Sequence, residues 1–373
     1  MSGSHVLVAP DKFKGSLTAT EVADAVAAGI GSVVPGVPVR TLPVADGGDG
    51  TVAAAVAAGF RRVDVPARGP TGQRITASFA LSGDTAVVEL AEASGLHRLP
   101  GDVPAPLTAS SAGTGDLIAA AIRSGARRIV LGVGGSACTD GGAGLLTALG
   151  ARLLDSSGAE LSPGGAALRE LHRLELSDLD PALSEVDIEL ASDVDNPLLG
   201  PHGAAAVYGP QKGAGPAAIR VLEDGLRRWA EVAGPADAAR PGAGAAGGVG
   251  FAALAVLHAR RRPGIELLTE LLGFDDALRD ARLVVTGEGS LDEQTLRGKA
   301  PAGVAAKARK AAVPVVAVAG RCLLTPAALR DSGFEAAYAL TDAEPDPARC
   351  IAAAGPLLTR VSARLAEDWL RSP

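Results

Sequence analysis

Apolar positions recur along this chain with two different periods, and the change between them predicts where helices and strands lie. Near the amino terminus the apolar run Val6 to Ala9 precedes a polar loop. Apolar residues at helical spacing come after that loop, namely Val22, Val26 and Ile30. Thr18 and Glu21 match the capping-box pattern, so a helix is expected to begin at Thr18. A strand, a loop and a helix in this order are typical of α/β folds.

A period of two replaces the helical period between residues 74 and 90. Apolar residues occupy alternate positions from 75 to 81, and a turn sequence at 82–84 separates them from a second apolar run. This pattern predicts a β-hairpin and therefore partly antiparallel structure. Because a doubly wound domain does not normally contain such a meander, we expect a domain boundary near Arg61.

Patterns typical of α/β units lie on both sides of this hairpin. They predict helices at 116–124, 219–229 and from 301, strands at 39–44, 128–133, 186–191, 283–285 and 313–319, and loops at 235–250 and 286–299. The two chain ends, 1–61 plus 281–373, are predicted to form one discontinuous domain. Residues 62–280 are predicted to form an inserted mixed α/β domain.

The composition of the chain argues against several classes of function. The net charge of −7 and the 3% of aromatic residues give neither a basic footprint nor stacking platforms, so nucleic acid is not an expected partner. The longest near-apolar run, Ala245 to Leu257, is shorter than the roughly 20 residues that a membrane span needs. No signal-peptide pattern occurs at the start, so a cytoplasmic location is expected. Three cysteines and five histidines show no metal-ligand spacing, and any bound metal is therefore expected to have oxygen ligands.

Five loops combine glycine with acidic, amide or lysine residues, and several of them follow predicted strands. An open α/β sheet binds its ligand at such positions. Phosphoryl transfer requires backbone N–H groups and lysines on phosphates, acids on Mg²⁺ and a base for the attacking hydroxyl, and these loops supply all of them. For any single acid, however, a helix cap or an Asx turn is an equally good interpretation, and a lysine here can simply cap a turn at the surface.

Other nucleotide and nucleophile motifs are missing or misplaced. The sequence has no Walker P-loop and no GxSxG elbow. A GxGxxG match at 242–247 follows no predicted strand, and the nearest acids, Glu266 and Glu270, lie in an apparent helix, which disfavours a dinucleotide-binding dehydrogenase. Cys138 has no histidine near it in sequence, so a nucleophilic cysteine is disfavoured as well.

Long segments of the chain resemble the bacterial glycerate kinase family of class I, which phosphorylates glycerate with ATP. The resemblance lies in APDKFKGSLTA (9–19), ADGGDGT (45–51), GGSACTDGGAG (134–144), DVDNPL (193–198), GPQKGA (209–214), 242–250 and TGEGSLDEQT (286–295) with GKAP (298–301). These segments span nearly the whole chain and occur in the family's order. The chain departs from the family pattern at Asp49, where Glu is usual, and at Cys138-Thr139, where Thr-Asn is usual.

The resemblance implies two α/β domains, one of them flavodoxin-like and formed by both chain ends, with the active site in the cleft between them. It also implies ATP and Mg²⁺, with D-glycerate as acceptor, most often at its 2-hydroxyl. Lys12 and Lys14 would then neutralise the substrate carboxylate or the transferred phosphoryl group. Asp46 and Asp193 are the candidates for the base or a metal ligand.

Two further sets of residues complete the predicted site. The predicted substrate- and phosphate-binding residues are Ser16, Gly47, Gly48, Gly134, Gly135, Ser136, Asn196, Lys212, Gly287 and Lys299. The predicted metal ligands are Asp140, Asp195, Glu288 and Asp292.

The sequence leaves several alternatives open. The product could be 3-phosphoglycerate, or the acceptor another short hydroxy acid. Two alternatives belong to other classes of function: a ligand-binding regulator without turnover, and a dehydrogenase acting on the same hydroxy acid. These patterns do not determine which residue is the base. They do not determine the oligomeric state either, and a homo-oligomer is one of the alternatives.

Overall fold

The computed structural model describes residues 4–371, whose contacts divide the chain into two compact units. Unit 1 consists of residues 4–46, Ala53–Ala58 and residues 265–371. Unit 2 consists of Gly47–Val52 and Gly59–Gly264. The division expected from the sequence differs in residues 265–280, which it assigned to the inserted domain, and in residues 47–52 and 59–61, which it assigned to the domain of the chain ends. That division stays a prediction.

Strands and helices alternate along most of the chain. The strands are β1 (His5–Val8), β2 (Val39–Thr41), β3 (Arg61–Arg68), β4 (Arg74–Ser82), β5 (Thr85–Glu89), β6 (Arg128–Gly132), β7 (Arg152–Leu154), β8 (Arg173–Glu175), β9 (Asp187–Ala191), β10 (Arg260–Arg262), β11 (Ala281–Leu291), β12 (Val315–Cys322) and β13 (Ala336–Ala339). The helices are α1 (Ala19–Val33), α2 (Thr51–Ala57), α3 (Ala91–Ser94), α4 (Ala112–Arg123), α5 (Ala143–Ala148), α6 (Ala204–Tyr208), α7 (Pro216–Ala233), α8 (Ala245–Ala255), α9 (Gly264–Leu271), α10 (Phe274–Leu278), α11 (Ala300–Lys310), α12 (Pro326–Asp331), α13 (Pro347–Ala352) and α14 (Ala354–Trp369). In the described part of the chain, no helix has the length and apolarity to span a membrane.

Unit 1 is built on a five-stranded sheet in the order β2-β1-β11-β12-β13, with all neighbours parallel. Counted within the unit, this is the order 2-1-3-4-5 of flavodoxin-like folds, as predicted. The topological switch point lies between β1 and β11, because the connections from these two strands leave in opposite directions across the sheet.

Helices α1 and α14 pack closely on one another in unit 1. A Cβ at Gly29 would lie 2.4 Å from the Thr359 carbonyl oxygen, so only glycine permits this approach. The start of α1 is as predicted: the Thr18 hydroxyl accepts from the Glu21 N–H, and the Glu21 carboxylate accepts from the Thr18 N–H. This capping box satisfies backbone donors that the first turn would otherwise leave free.

Unit 2 contains a six-stranded mixed sheet in the order β10-β9-β6-β5-β4-β3. Strands β3, β4 and β5 are antiparallel neighbours, which confirms the predicted hairpin, whereas β5, β6, β9 and β10 are parallel. Its core includes Trp229, fully buried against the edge of Phe251 with ring centroids 6.0 Å apart. Both α/β units and the overall fold class therefore agree with the sequence prediction.

Two predicted loops contain regular structure instead. Strand β11 continues to Leu291, through a stretch that was expected to be a loop from Thr286, because Gly287 carries no side chain that would collide with β12. In the second, α8 begins at Ala245, within the stretch expected to be a loop up to Gly250. Its residues 246–248 have left-handed backbone angles, and the glycines that suggested a loop occupy two of those three positions.

Candidate functional site

The switch point of unit 1 is the first place where the fold predicts a ligand. The segment after β1 continues beside β11: the Ala9 N–H donates to the Val285 carbonyl at 2.7 Å, and the Asp11 N–H donates to the Gly287 carbonyl at 2.8 Å. The Thr286 hydroxyl donates to the Ala9 carbonyl at 2.7 Å. These bonds place Asp11 at the carboxyl ends of two adjacent parallel strands.

Asp11 is a candidate site residue that sequence reasoning missed. Its carboxylate accepts from the Lys12 N–H at 2.7 Å. The carboxyl is only partly accessible, and its pKa is raised to about 7, first by burial and then by the negative charges of Asp46 and, more weakly, Glu288. An aspartate directly after the first strand was the signal in the sequence that could have identified it.

Asp46 reaches this position because the chain after β2 runs alongside β1. The Leu42 N–H donates to the Val8 carbonyl at 2.8 Å, and the Val44 N–H donates to the Pro10 carbonyl at 2.9 Å. Asp46 follows two residues after Val44. Its negative charge raises the pKa of Asp11 more strongly than the positive charge of Lys12 lowers it. The structure thus brings together one predicted catalytic acid, Asp46, with Asp11 and Glu288.

Glu288 is held from two sides near the carboxyl end of β11. The Thr295 hydroxyl donates to its Oε1 at 2.6 Å, and the Lys299 ammonium lies 3.3 Å from its Oε2. Burial nevertheless raises the pKa of Glu288 above its ordinary value. Asp292 caps the same loop by accepting from the Gln294 N–H at 2.9 Å, so its position is explained by an Asx turn. Thr295 was not anticipated from the sequence.

The predicted lysines of the first loop lie on a compact turn. Phe13 is buried and anchors the turn, and its N–H donates to the Leu17 carbonyl at 2.9 Å. Lys14 is exposed, and the Ser16 hydroxyl donates back to the Phe13 carbonyl at 3.1 Å. A Cβ at Gly289 would come within 3.3 Å of the Lys14 backbone nitrogen, so this turn packs against β11.

In unit 2 the predicted glycines allow backbone to pack on backbone. A Cβ at Gly134 would lie 2.4 Å from the Gly48 Cα, and one at Gly47 would lie 2.8 Å from the Ala191 carbonyl oxygen. The Gly134 N–H donates to the Gly47 carbonyl at 3.3 Å. The segment 47–52 therefore lies against the carboxyl ends of β6 and β9, with Gly135 exposed beside it.

Glu89, at the end of β5, anchors the same segment and was also missed. It is 2% exposed and accepts from the Gly50 and Val52 N–H groups, both at 3.0 Å. Burial raises its pKa to about 7, against the opposing effect of those two hydrogen bonds. Its contacts indicate that it positions the glycine segment.

The loop after β6 is held by two buried charges of opposite sign. Asp140 accepts from the Ser111 N–H and hydroxyl at 2.8 and 2.9 Å, and from two glycine N–H groups, those of Gly142 and Gly144. The buried Lys212 ammonium donates to the Ser136 hydroxyl at 2.7 Å and to the Cys138 carbonyl at 2.5 Å. These contacts compensate both buried charges with partners in the protein.

Cys138 itself is fully buried within this loop. Burial raises the pKa of its thiol well above the usual range. A thiol in this state is a poor nucleophile, which agrees with the sequence-based view that Cys138 does not carry the chemistry.

The acids and amide after β9 are engaged within unit 2. Asp193 accepts from the Gly264 N–H at 2.9 Å, and Asp195 pairs with Arg261 at 2.5 Å. The Asn196 amide donates to the His202 carbonyl and accepts from the Tyr208 hydroxyl. Asn196 is therefore accounted for by local structure.

The predicted metal ligands are divided between the units, with Asp140 and Asp195 in unit 2 and Glu288 and Asp292 in unit 1. Across residues 4–371, no group of three or more His, Cys, Asp or Glu side chains is arranged to hold a metal ion. Asp140 is saturated by protein donors, and Asp195 is paired with Arg261. Their assignment as metal ligands stays a prediction from the resemblance.

Comparison with known proteins identifies the family. Residues 6–370 match the profile of the Glycerate kinase family. The chain is 46% identical over 342 residues to the glycerate kinase of Bacillus subtilis (strain 168), and 44% identical over 345 residues to the glycerate 2-kinase of Escherichia coli (strain K12), with 90% of each chain covered in both cases. A crystal structure of a candidate glycerate kinase 2 from Salmonella typhimurium LT2 superposes with a TM-score of 0.84 at 40% identity, covering 98% of both chains. The chain belongs to the glycerate kinase family, phosphotransferases with an alcohol group as acceptor.

Proposed function

We propose that this protein transfers the γ-phosphoryl group of ATP to the 2-hydroxyl of D-glycerate, giving 2-phosphoglycerate and ADP. The observation that carries the proposal is the gathering of Asp11, Asp46 and Glu288 with Lys12 and Lys299 at the switch point of unit 1. The name of the Escherichia coli relative, glycerate 2-kinase, supports the choice of the 2-hydroxyl.

The charges at this edge suit a phosphoryl-transfer site. Burial, and after it the negative charges of Asp46 and Glu288, raise the pKa of Asp11 to about 7. Mg²⁺ commonly binds one or two carboxylates together with substrate phosphates, so the absence of a three-ligand cluster among residues 4–371 is compatible with it. Asp11 and Glu288 have the oxygen donors that would hold the ion, and the bound ion would supply charge neutralisation for the phosphates.

Asp46 is the proposed general base. Its carboxylate would accept the proton of the glycerate 2-hydroxyl as that oxygen forms its bond to the γ-phosphorus, while the bond from phosphorus to the ADP oxygen breaks. We favour Asp46 over Asp193, because the negative charge of Asp46 acts on Asp11 at the switch point of unit 1, where the proposed acids and lysines meet.

Lys12 and Lys14 would neutralise the anionic groups of the substrates. Lys14 is exposed on the turn after β1, and Lys12 is the neighbour whose charge acts on Asp11. Positive charges that meet the transferred phosphoryl group stabilise the negative charge spread over its oxygens in the transition state. The substrate carboxylate is a second anion that either lysine can bind.

The direct test is a coupled assay of ADP release with ATP, Mg²⁺ and D-glycerate, followed by phosphorus NMR of the product. Glycerate-dependent ADP release with a 2-phosphoglycerate spectrum is the expected result. A 3-phosphoglycerate spectrum would refute the assigned position while retaining the kinase. ATP binding without glycerate-dependent release would refute D-glycerate as the acceptor.

A further inference from the structure

Lys212 is a buried charge for which the proposed chemistry has no direct use. It is 2% exposed, and the contact with a substrate that the sequence predicted for it stays a prediction. Burying a lysine is costly unless its donors are engaged. Two of its donors are engaged, by the Ser136 hydroxyl at 2.7 Å and the Cys138 carbonyl at 2.5 Å. The Asp140 carboxylate and the Cys138 thiol are its titratable neighbours.

The contact with Lys212 determines which way the Ser136 hydroxyl is polarised. An ammonium group can only donate, so Ser136 Oγ must accept from it. The hydroxyl hydrogen then has to point elsewhere, and within residues 4–371 no protein acceptor for it is found. Ser136 is 6% exposed and directly follows the exposed Gly135 in the loop after β6.

The rest of the loop is too constrained for Ser136 to turn away. The Ala137 N–H donates to the Ser94 carbonyl at 2.9 Å, and the Gly135 carbonyl accepts from the Leu96 N–H at 2.9 Å. Asp140 ties the other end of the loop to Ser111. The backbone is therefore held on both sides of Ser136, and the hydroxyl has an ammonium behind it, which makes it a preorganised donor for a negatively charged oxygen.

We propose that Lys212 is a positioning residue that makes Ser136 an obligate hydrogen-bond donor to an anionic oxygen of a substrate, a phosphate of the nucleotide or the carboxylate of glycerate. The inference rests on the proposed function, since it takes its ligands from that reaction. It also reassigns Lys212 from a ligand contact to a residue that acts through Ser136.

The test measures binding by calorimetry, so it does not depend on turnover. The probes are ATP, D-glycerate and, as an uncharged control, adenosine. Ser136→Ala should weaken either ATP or D-glycerate about 10- to 100-fold, as expected for losing a hydrogen bond to a charged group, and leave adenosine unchanged. Weaker ATP binding assigns the donor to a phosphate, and weaker D-glycerate binding assigns it to the carboxylate.

The double variant Ser136→Ala, Lys212→Met separates positioning from a general structural role. If Lys212 acts through Ser136, Lys212→Met reproduces the affinity loss of Ser136→Ala, and the double variant binds no more weakly than either single variant. Additive losses, or a loss that extends to adenosine, would overturn the positioning role. Lys310→Met, at an exposed lysine of α11, is the matched control and should bind all three probes as the wild type does.

The remaining outcomes are decisive as well. Unchanged affinity of Ser136→Ala for both anions overturns the inference, and this variant suffices if Lys212→Met does not fold. Failure of the wild type to bind either anion overturns the inference together with the proposed function. Normal wild-type binding without glycerate phosphorylation contradicts the proposed function alone.

Discussion

The acids at the switch point of unit 1 and the acid in the glycine loop of unit 2 have opposite environments. In unit 1 the pKa of Asp11 is raised to about 7, with Asp46 and Glu288 contributing negative charge. In unit 2 the fully buried Asp140 receives four hydrogen bonds from protein donors and shares its surroundings with the Lys212 ammonium. Similar acid-and-glycine sequences thus have two different environments, the proposed reactive edge of unit 1 and a rigid support in unit 2.

The strongest test of this contrast compares the kinase activity of variants at two aspartates, Asp46 and Asp24. Asp46→Asn should lower kcat about 10²- to 10⁴-fold with little change in thermal stability, because it removes the proposed base and keeps the shape. Steady-state kinetics and thermal unfolding check both statements. Asp24→Asn, at an exposed aspartate of α1, is the matched control. If Asp193→Asn were the more damaging variant, the base would have to be reassigned to unit 2.

The reciprocal experiment asks whether Asp140 supports the structure. Asp140→Ala leaves the buried Lys212 ammonium without its nearby carboxylate and several donors unsatisfied, which should cost about 3–5 kcal/mol of unfolding free energy. Denaturant unfolding measures this free energy. The control is Asp224→Ala, at an exposed aspartate of α7, which is expected to change stability by less than about 0.5 kcal/mol. An Asp140→Ala protein of wild-type stability but no activity would place Asp140 among the reactive acids.

The raised pKa of Asp11 predicts a pH dependence of stability. Because the folded-state pKa of about 7 lies above the ordinary aspartate pKa of 3.8, the folded protein binds this proton more tightly. Its contribution is complete below the unfolded-state pKa and is lost as pH rises towards 7. Asp11→Asn carries no such proton, so its stability relative to the wild type should increase between pH 5 and pH 8. Urea unfolding across that range measures the difference, and a constant difference would show that Asp11 titrates normally.

Much of this arrangement could be predicted from the sequence, and the exceptions have physical causes. The capping box at Thr18 and the hairpin of β4 and β5 are local patterns, so both were predicted correctly. Whether an acid such as Asp140 faces solvent or is enclosed by donors depends on contacts between segments far apart in sequence. Asp11 and Glu89 were missed for the same reason, since their pKa values depend on burial created only by the fold.

The smallest expected effect concerns two glycines of β11 that the sequence does not distinguish. A Cβ at Gly287 would lie 2.0 Å from the Val318 carbonyl oxygen, so Gly287→Ala must separate β11 from β12 and should cost about 1–3 kcal/mol of stability. At Gly289 the nearest atom would be the Lys14 nitrogen at 3.3 Å, so Gly289→Ala needs only a slight shift of the turn after β1. We expect Gly289→Ala to lose less than about 1 kcal/mol of stability, with an altered KM as the main consequence.

Unfolding and steady-state kinetics are measured on both variants. A large loss of stability identifies a glycine that the sheet requires, and an altered KM identifies one that the turn carrying Lys14 requires. Equal loss of stability in both variants would mean that the turn is as rigidly packed as the sheet. The proposed reactive edge would then resemble the rigid loop around Asp140 in unit 2.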